Sequence, residues 1–208
     1  MADVTASGAE VGEDRILTLP NLVTLVRLLC IPLFLWLLFG LDARAGAALL
    51  LAFLGATDWV DGYLARHLHQ VSSLGKAFDP LVDRLLLIVG VVSIIVADGC
   101  PRWFGIVVVV REVLLSAWVL SIMALGAERM DVTWFGKAGT FGMMVAFPAF
   151  LASTDTGLSS GVTTFFEVVA WCAAIPGLAF SLIAFAGYFP KGVVALREGR
   201  AARAAAGT

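Results

Sequence analysis

The chain has 208 residues, 60% of them hydrophobic and 14% charged, with a mean hydropathy of +0.95. Soluble domains carry about a quarter charged residues, so this composition excludes the ordinary soluble class and indicates a polytopic membrane protein of one domain. The formal net charge is −2, and no nucleic-acid partner is expected.

Residues 1–14 are polar, acidic and small, and are expected to form a disordered tail. They lack the positive start of a cleavable signal peptide. Residues 15–39 read as a short interfacial lead-in and then a first transmembrane helix, with Pro32 a mild kink. Asn21, Thr24 and Arg27 have two readings. They form a cap plus a snorkelling cation, or they face a catalytic space. A short polar loop, Gly40 to Gly46, precedes a second helix over about 45–66, of which only the first half is purely apolar.

The second half of that helix and the start of the next hold Asp58, Asp61, Asp79 and Asp83, four carboxylates within 26 residues of an otherwise apolar sequence. On a helix, Asp58, Asp61, Gly62, Ala65 and Arg66 fall at i, i+3, i+4, i+7 and i+8, which is one face. Gly75, Asp79 and Asp83 fall at i, i+4 and i+8 on the next helix, again one face. Carboxylates that close repel unless a cation sits between them. An all-oxygen set suits Mg²⁺ or Mn²⁺, the hard ions that partner phosphates. Gly62, Ala65 and Gly75 leave room against the backbone, and Arg66 offers a planar cation to a phosphate. The intervening loop, 67–74, contains His67 and His69, read as solvated.

The third helix is expected over 77–97, with regular structure from about Asp79 because Pro80 is best tolerated in a first turn. A turn at 98–102 leads to a fourth helix over 103–125, which carries Arg111 and Glu112 deep in an apolar run. Charges at such depth should face the bundle interior. They form a structural ion pair, or Arg111 reaches an acceptor phosphate. A polar loop with Arg129 and Lys137 precedes a fifth helix over 136–152, whose Gly136, Gly139 and Thr140 form a small face for close approach. A loop at 153–160, a sixth helix over 163–188 and a basic tail over 191–208 complete the chain. Cys30, Cys100 and Cys172 have neither metal nor disulfide spacing and read as packing residues.

Six helices place both termini on one side. Arg15, Arg66, Lys76, Arg129, Lys137, Lys191, Arg197, Arg200 and Arg203 fall on that side, and only Arg44 and Arg102 on the other. Nine against two puts the termini and the carboxylates in the cytoplasm.

The spacing D-x2-D-G-x2-A-R-x8-G-x3-D-x3-D, met by Asp58, Asp61, Gly62, Ala65, Arg66, Gly75, Asp79 and Asp83, resembles the signature of the CDP-alcohol phosphotransferases. The resemblance covers most of the chain. It implies an all-α, six-helix membrane domain over 15–190, a divalent ion on the four aspartates, and Asp83 as the base. It also implies a CDP-linked donor such as CDP-diacylglycerol, release of CMP, a bacterial cell membrane location and a tendency to form homodimers. Asn21 and Thr24 belong to a Pro-Asn-x-x-Thr-x-x-Arg start found near the family's nucleotide, and Ser72 falls where the family touches the donor.

Within the family, the Leu-Pro-Asn start, Asp79-Pro80 and Gly136-Lys137 resemble the branch of phosphatidylglycerophosphate synthases and CDP-dependent cardiolipin synthases. Gly-Lys-x-Lys-Thr is typical of the former, whereas this chain has Gly136-Lys137-Ala138-Gly139-Thr140 and lacks the second lysine. Its Asp79-Pro-Leu-Val-Asp83-Arg84 run also departs from the Ala-Asp-Lys ending of those synthases. Phosphatidylglycerol is therefore the favoured acceptor and glycerol 3-phosphate the alternative, with Arg111 and Lys137 the candidate acceptor contacts. Two other classes are set against this reading. Intramembrane prenyltransferases need two separate aspartate motifs and usually more helices. A small transporter would line its path with Arg111 and Glu112.

Overall fold

The structure is a computed structural model. It describes the backbone over residues 19–68, 75–125 and 133–205, and side chains over 25–57, 85–125 and 133–199. The expected tail at 1–14, the start of the lead-in at 15–18, Ser72, Arg129 and the last three residues lie outside the described residues.

Every described element is helical: α1 (Leu19–Leu35), α2 (Arg44–Leu68), α3 (Gly75–Val96), α4 (Arg102–Ala124), α5 (Trp134–Ser153) and α6 (Ser160–Ala205). The first span departs from one regular helix. A π-helical turn, Trp36–Gly40, follows α1, and the Leu41 amide donates to the Trp36 carbonyl at 3.0 Å. Pro32 is accommodated inside α1 itself, and the irregularity sits one turn later. The third helix starts earlier than expected, at Gly75, so Pro80 lies in its second turn and leaves the Lys76 carbonyl without an i+4 donor. The sixth helix does not stop near Tyr188. It runs unbroken to Ala205, through Pro190 and across the boundary drawn at residue 190. Residues 191–205 are rich in Ala and Arg, good helix formers that propagate an existing helix. At 46 residues α6 is about 69 Å long, more than a bilayer needs, so its basic end projects beyond the apolar zone.

Among the described residues, three helices are long and apolar enough to cross a bilayer: Arg102–Ala124, Trp134–Ser153 and Ser160–Gly199. Shorter apolar stretches occupy Leu25–Gly40, Arg44–Thr57 and Leu85–Val96. Large side chains such as Leu49, Leu120, Phe165 and Ile175 are well exposed. Water would penalise such a surface and lipid does not, so the architecture is a membrane helical bundle.

Among the described residues, the main core lies at the end of the bundle away from the aspartate sequence. There Phe104 lies between Phe147 and Phe150 at ring-centroid distances of 5.4 and 5.5 Å, and Phe150 meets Trp171 edge-on at 5.1 Å. Phe34, Leu38, Ala47, Ile94 and Leu151 complete this core. The two turns capping this end carry Asp42 and Asp98 at positive φ, a conformation Asp tolerates better than most residues. Each pairs with a nearby arginine, Arg44 at 3.2 Å and Arg102 at 2.8 Å. Asp155, from the α5–α6 loop, accepts from the Ala45 amide at 2.7 Å and so satisfies a free N–H in the first turn of α2.

Among the described residues, α5 and α6 make the closest approach. A Cβ on Gly142 would lie 2.7 Å from the Gly177 Cα, and one on Gly139 would lie 2.8 Å from the Ser181 amide nitrogen. Without an apolar driving force between helices in lipid, this backbone-to-backbone approach supplies the dispersion contact that holds the pair.

Candidate functional site

The aspartates occupy the opposite end of the bundle from the aromatic core. The last turns of α2 carry Asp58, Asp61, Gly62, Ala65 and Arg66, and the first turns of α3 carry Gly75, Asp79 and Asp83. Both backbones are helical throughout, so the one-face register expected from the spacing holds on each helix. The side chains of these residues, of Asn21 and Thr24 on α1, and of His67 lie outside the described residues.

One turn below this end, toward the aromatic core, lies a cavity of about 210 Å³ walled by all six helices. Gly55 of its wall is about 4.5 Å along α2 from Asp58, and Leu86 is about the same distance along α3 from Asp83. The wall is mostly apolar. Its charged members among the described residues are Arg27, Arg111 and Glu112, joined by the hydroxyl residues Thr140 and Ser181.

Arg27 is only 7% exposed, so it faces the interior and is not a snorkelling anchor. Arg111 and Glu112 pair at 2.8 Å, with side chains 13% and 14% exposed. Neighbouring residues on a helix do not normally face each other, yet both line the cavity. Arg111 also donates through Nη2 to the Ser181 carbonyl of α6 at 3.3 Å. Its Nε is buried and finds no acceptor. Arg111 is thus ion-paired, and it keeps donor capacity beside the cavity.

Gly139 forms part of the same wall, pressed against Ser181. The position at which related synthases carry a second lysine is therefore cavity wall, closed to a side chain by the α6 backbone. Lys137 sits exposed in the first turn of α5, where the Thr133 hydroxyl accepts from the Gly136 amide at 3.1 Å. It is not among the residues lining the cavity. Cys100 is buried in the α3–α4 turn, and burial pushes its thiol up to about 11 against a smaller opposing hydrogen bond with the Gly105 backbone. That is the behaviour of a packing residue.

Sequence reasoning undervalued Arg27 and gave Glu112 no role in the transferase site beyond an ion pair. The available signal was the same for both, a charge set inside an apolar run. Among the described residues no three His, Cys, Asp or Glu side chains converge on one point. The four aspartates remain the candidate ligands. Their chemistry, carboxylate oxygens alone, fits a hard divalent cation.

The chain matches the CDP-alcohol phosphatidyltransferase family over residues 17–183. It is 36% identical over 168 residues to a Streptomyces coelicolor protein named cardiolipin synthase (CMP-forming), covering 78% of each chain. It is 33% identical over 147 residues to the Bacillus subtilis CDP-diacylglycerol–glycerol-3-phosphate 3-phosphatidyltransferase, covering 64% of this chain and 76% of that one. A Pseudomonas fluorescens protein of the same name is 36% identical over 146 residues, covering 66% and 73%. With the family matched from α1 into α6 and the eight-residue signature on continuous helices, this chain belongs to the CDP-alcohol phosphatidyltransferase family and is a membrane-bound transferase.

Proposed function

We propose that the protein transfers the phosphatidyl group of CDP-diacylglycerol to a primary hydroxyl of phosphatidylglycerol, releasing CMP and forming cardiolipin. The acceptor oxygen bonds to the phosphatidyl phosphorus, the bond from that phosphorus to CMP breaks, and the hydroxyl proton passes to Asp83. Asp58, Asp61, Asp79 and Asp83 are the residues that would hold Mg²⁺ or Mn²⁺, and the ion supplies charge neutralisation at the donor pyrophosphate. Gly62, Ala65 and Gly75 leave space for the nucleotide along the two helices, and Arg66 pairs with a donor phosphate. Asn21, Thr24 and Ser72 complete the donor side. Arg111 binds the acceptor phosphate, and Lys137 is the second candidate acceptor contact.

The observation that carries the choice of acceptor is Gly139. A phosphomonoester such as glycerol 3-phosphate brings nearly two negative charges, and a phosphodiester brings one. Among the described lining residues Arg27 and Arg111 are the cations, and Arg111 is already paired with Glu112. A second lysine at position 139 would supply another, but its Cβ would meet Ser181 backbone atoms at 2.8 and 2.9 Å. The fold thus supports a singly charged acceptor. The topology that suits this chemistry has both termini and the aspartates in the cytoplasm. Supporting it, nine lysines and arginines fall on the side of the termini and only Arg44 and Arg102 on the other.

The test is a lipid-product assay with purified protein, CDP-diacylglycerol, Mg²⁺, and phosphatidylglycerol and glycerol 3-phosphate offered together. Cardiolipin is the expected main product. Phosphatidylglycerophosphate as the main product would overturn the acceptor assignment, and no CMP release with either would overturn phosphatidyl transfer.

A further inference from the structure

The paired charges of the cavity suggest more than a phosphate anchor. Glu112 accepts one hydrogen bond among the described residues, from Arg111 Nη1 to its Oε2 at 2.8 Å. An ionised carboxylate has about four acceptor positions, so this one bond does not exhaust a residue that lines the cavity. A buried ion pair with no further purpose is replaceable by apolar residues at little or no cost in stability. Here the pair sits in the wall of a chamber of about 210 Å³, which is room for about seven waters or a small polar headgroup.

A guanidinium and a carboxylate 2.8 Å apart offer a donor fork and an acceptor side by side. The matching ligand has an anionic phosphate and a hydroxyl on neighbouring carbons. A glycerol phosphoester has that arrangement: its phosphate group, with the charged non-bridging oxygens, is on one carbon and its central hydroxyl on the next. The remaining terminal hydroxyl, one carbon further, is then free to point toward the aspartate end, which begins about one helical turn from the cavity wall.

We propose that Glu112 is a specificity-determining residue that accepts a hydrogen bond from the central, non-reacting hydroxyl of the acceptor and so selects a vicinal diol. Arg111 holds the phosphate and the Ser181 carbonyl holds Arg111. Glu112 orients the glycerol so that the terminal hydroxyl is the one delivered. The assignment rests on the phosphatidyl-transfer reading and adds to it a rule for the acceptor's chemistry.

The experiment compares kcat/KM for phosphatidylglycerol with that for phosphatidyl-1,3-propanediol, which keeps the phosphodiester and the terminal hydroxyl but lacks the central one. Wild-type protein should prefer the diol by about 10- to 100-fold, the worth of a hydrogen bond to a charged acceptor. Glu112→Gln, which keeps a neutral acceptor, should shrink the preference to about fivefold or less. A Glu112 that served only as a counter-ion would lower the rates with both acceptors equally and leave their ratio unchanged, which would overturn the assignment. Equal use of both acceptors by the wild type would overturn it without any variant, so a Glu112→Gln protein that fails to fold does not remove the test. Absence of CMP release with either acceptor would overturn the phosphatidyl-transfer reading itself and this assignment with it.

Discussion

Gly139→Ala joins packing to chemistry in one substitution. The added Cβ would lie 2.8, 2.9 and 3.0 Å from the Ser181 amide nitrogen, Cα and Cβ. Comfortable contact between such atoms needs about 3.5 Å or more, so α5 and α6 must part by roughly 0.5–1 Å. The obstacle is mainly backbone, so it cannot swing away. Overpacking of this kind costs about 1–3 kcal/mol, against which alanine in a helix returns up to about 1 kcal/mol relative to glycine. Gly187→Ala is the control, because it also lies inside a helix and its Cβ would meet nothing within 4 Å. The two variants share the propensity gain, so their difference isolates the contact. At about 2–4 °C per kcal/mol for a chain of this size, Gly139→Ala should melt about 2–12 °C below Gly187→Ala in detergent. The same displacement carries the Ser181 carbonyl away from Arg111 Nη2, now 3.3 Å distant and close to the limit of a hydrogen bond. The KM for phosphatidylglycerol should therefore rise several-fold with little change in the KM for CDP-diacylglycerol. Equal melting temperatures and an unchanged acceptor KM would refute both the tight α5–α6 contact and its link to Arg111.

Asp83→Asn should reduce kcat for CMP release by about 10²–10⁴-fold, the usual weight of a general base, and activity within tenfold of wild type would rule out that role. Chelation of divalent ions should abolish CMP release and Mg²⁺ or Mn²⁺ should restore it. Arg111→Met strands the Glu112 carboxylate at 14% exposure and should destabilise the protein by about 3–5 kcal/mol. The double variant Arg111→Met/Glu112→Met should recover most of that loss in a thermal-melt comparison, although it binds no acceptor. Asp155→Ala removes the acceptor for the Ala45 amide and should cost about 1 kcal/mol, read as a lower melting temperature, while leaving both KM values in place. Cys100, with its thiol pushed up to about 11, stays protonated and buried at ordinary pH. It should resist alkylation in the folded protein and react on unfolding, and rapid labelling of the native state would contradict its place in the core.

Much of the site was legible in local spacing. The aspartate register depends on residues three, four, seven and eight apart, and helical geometry brings those together whatever the rest of the fold does. Composition similarly announced the helices and their number, since an apolar run long enough to cross a bilayer has few alternatives. Rotation of each helix about its axis was hidden. In lipid the buried and outward faces are both apolar, so α4, α5 and α6 carry little pattern to say which side meets a neighbour. Arg27 could have been an outward anchor and Arg111 a partner for any acid until α1, α4, α5 and α6 were packed together. Only that packing made Arg27, Arg111 and Glu112 walls of one chamber, put Gly139 against the Ser181 backbone, and left Lys137 outside. The end of α6 was hidden for a related reason. Basic composition marks where a segment leaves the bilayer, whereas the helix ends only where its hydrogen bonding does, and nothing in 191–205 stops that before Ala205.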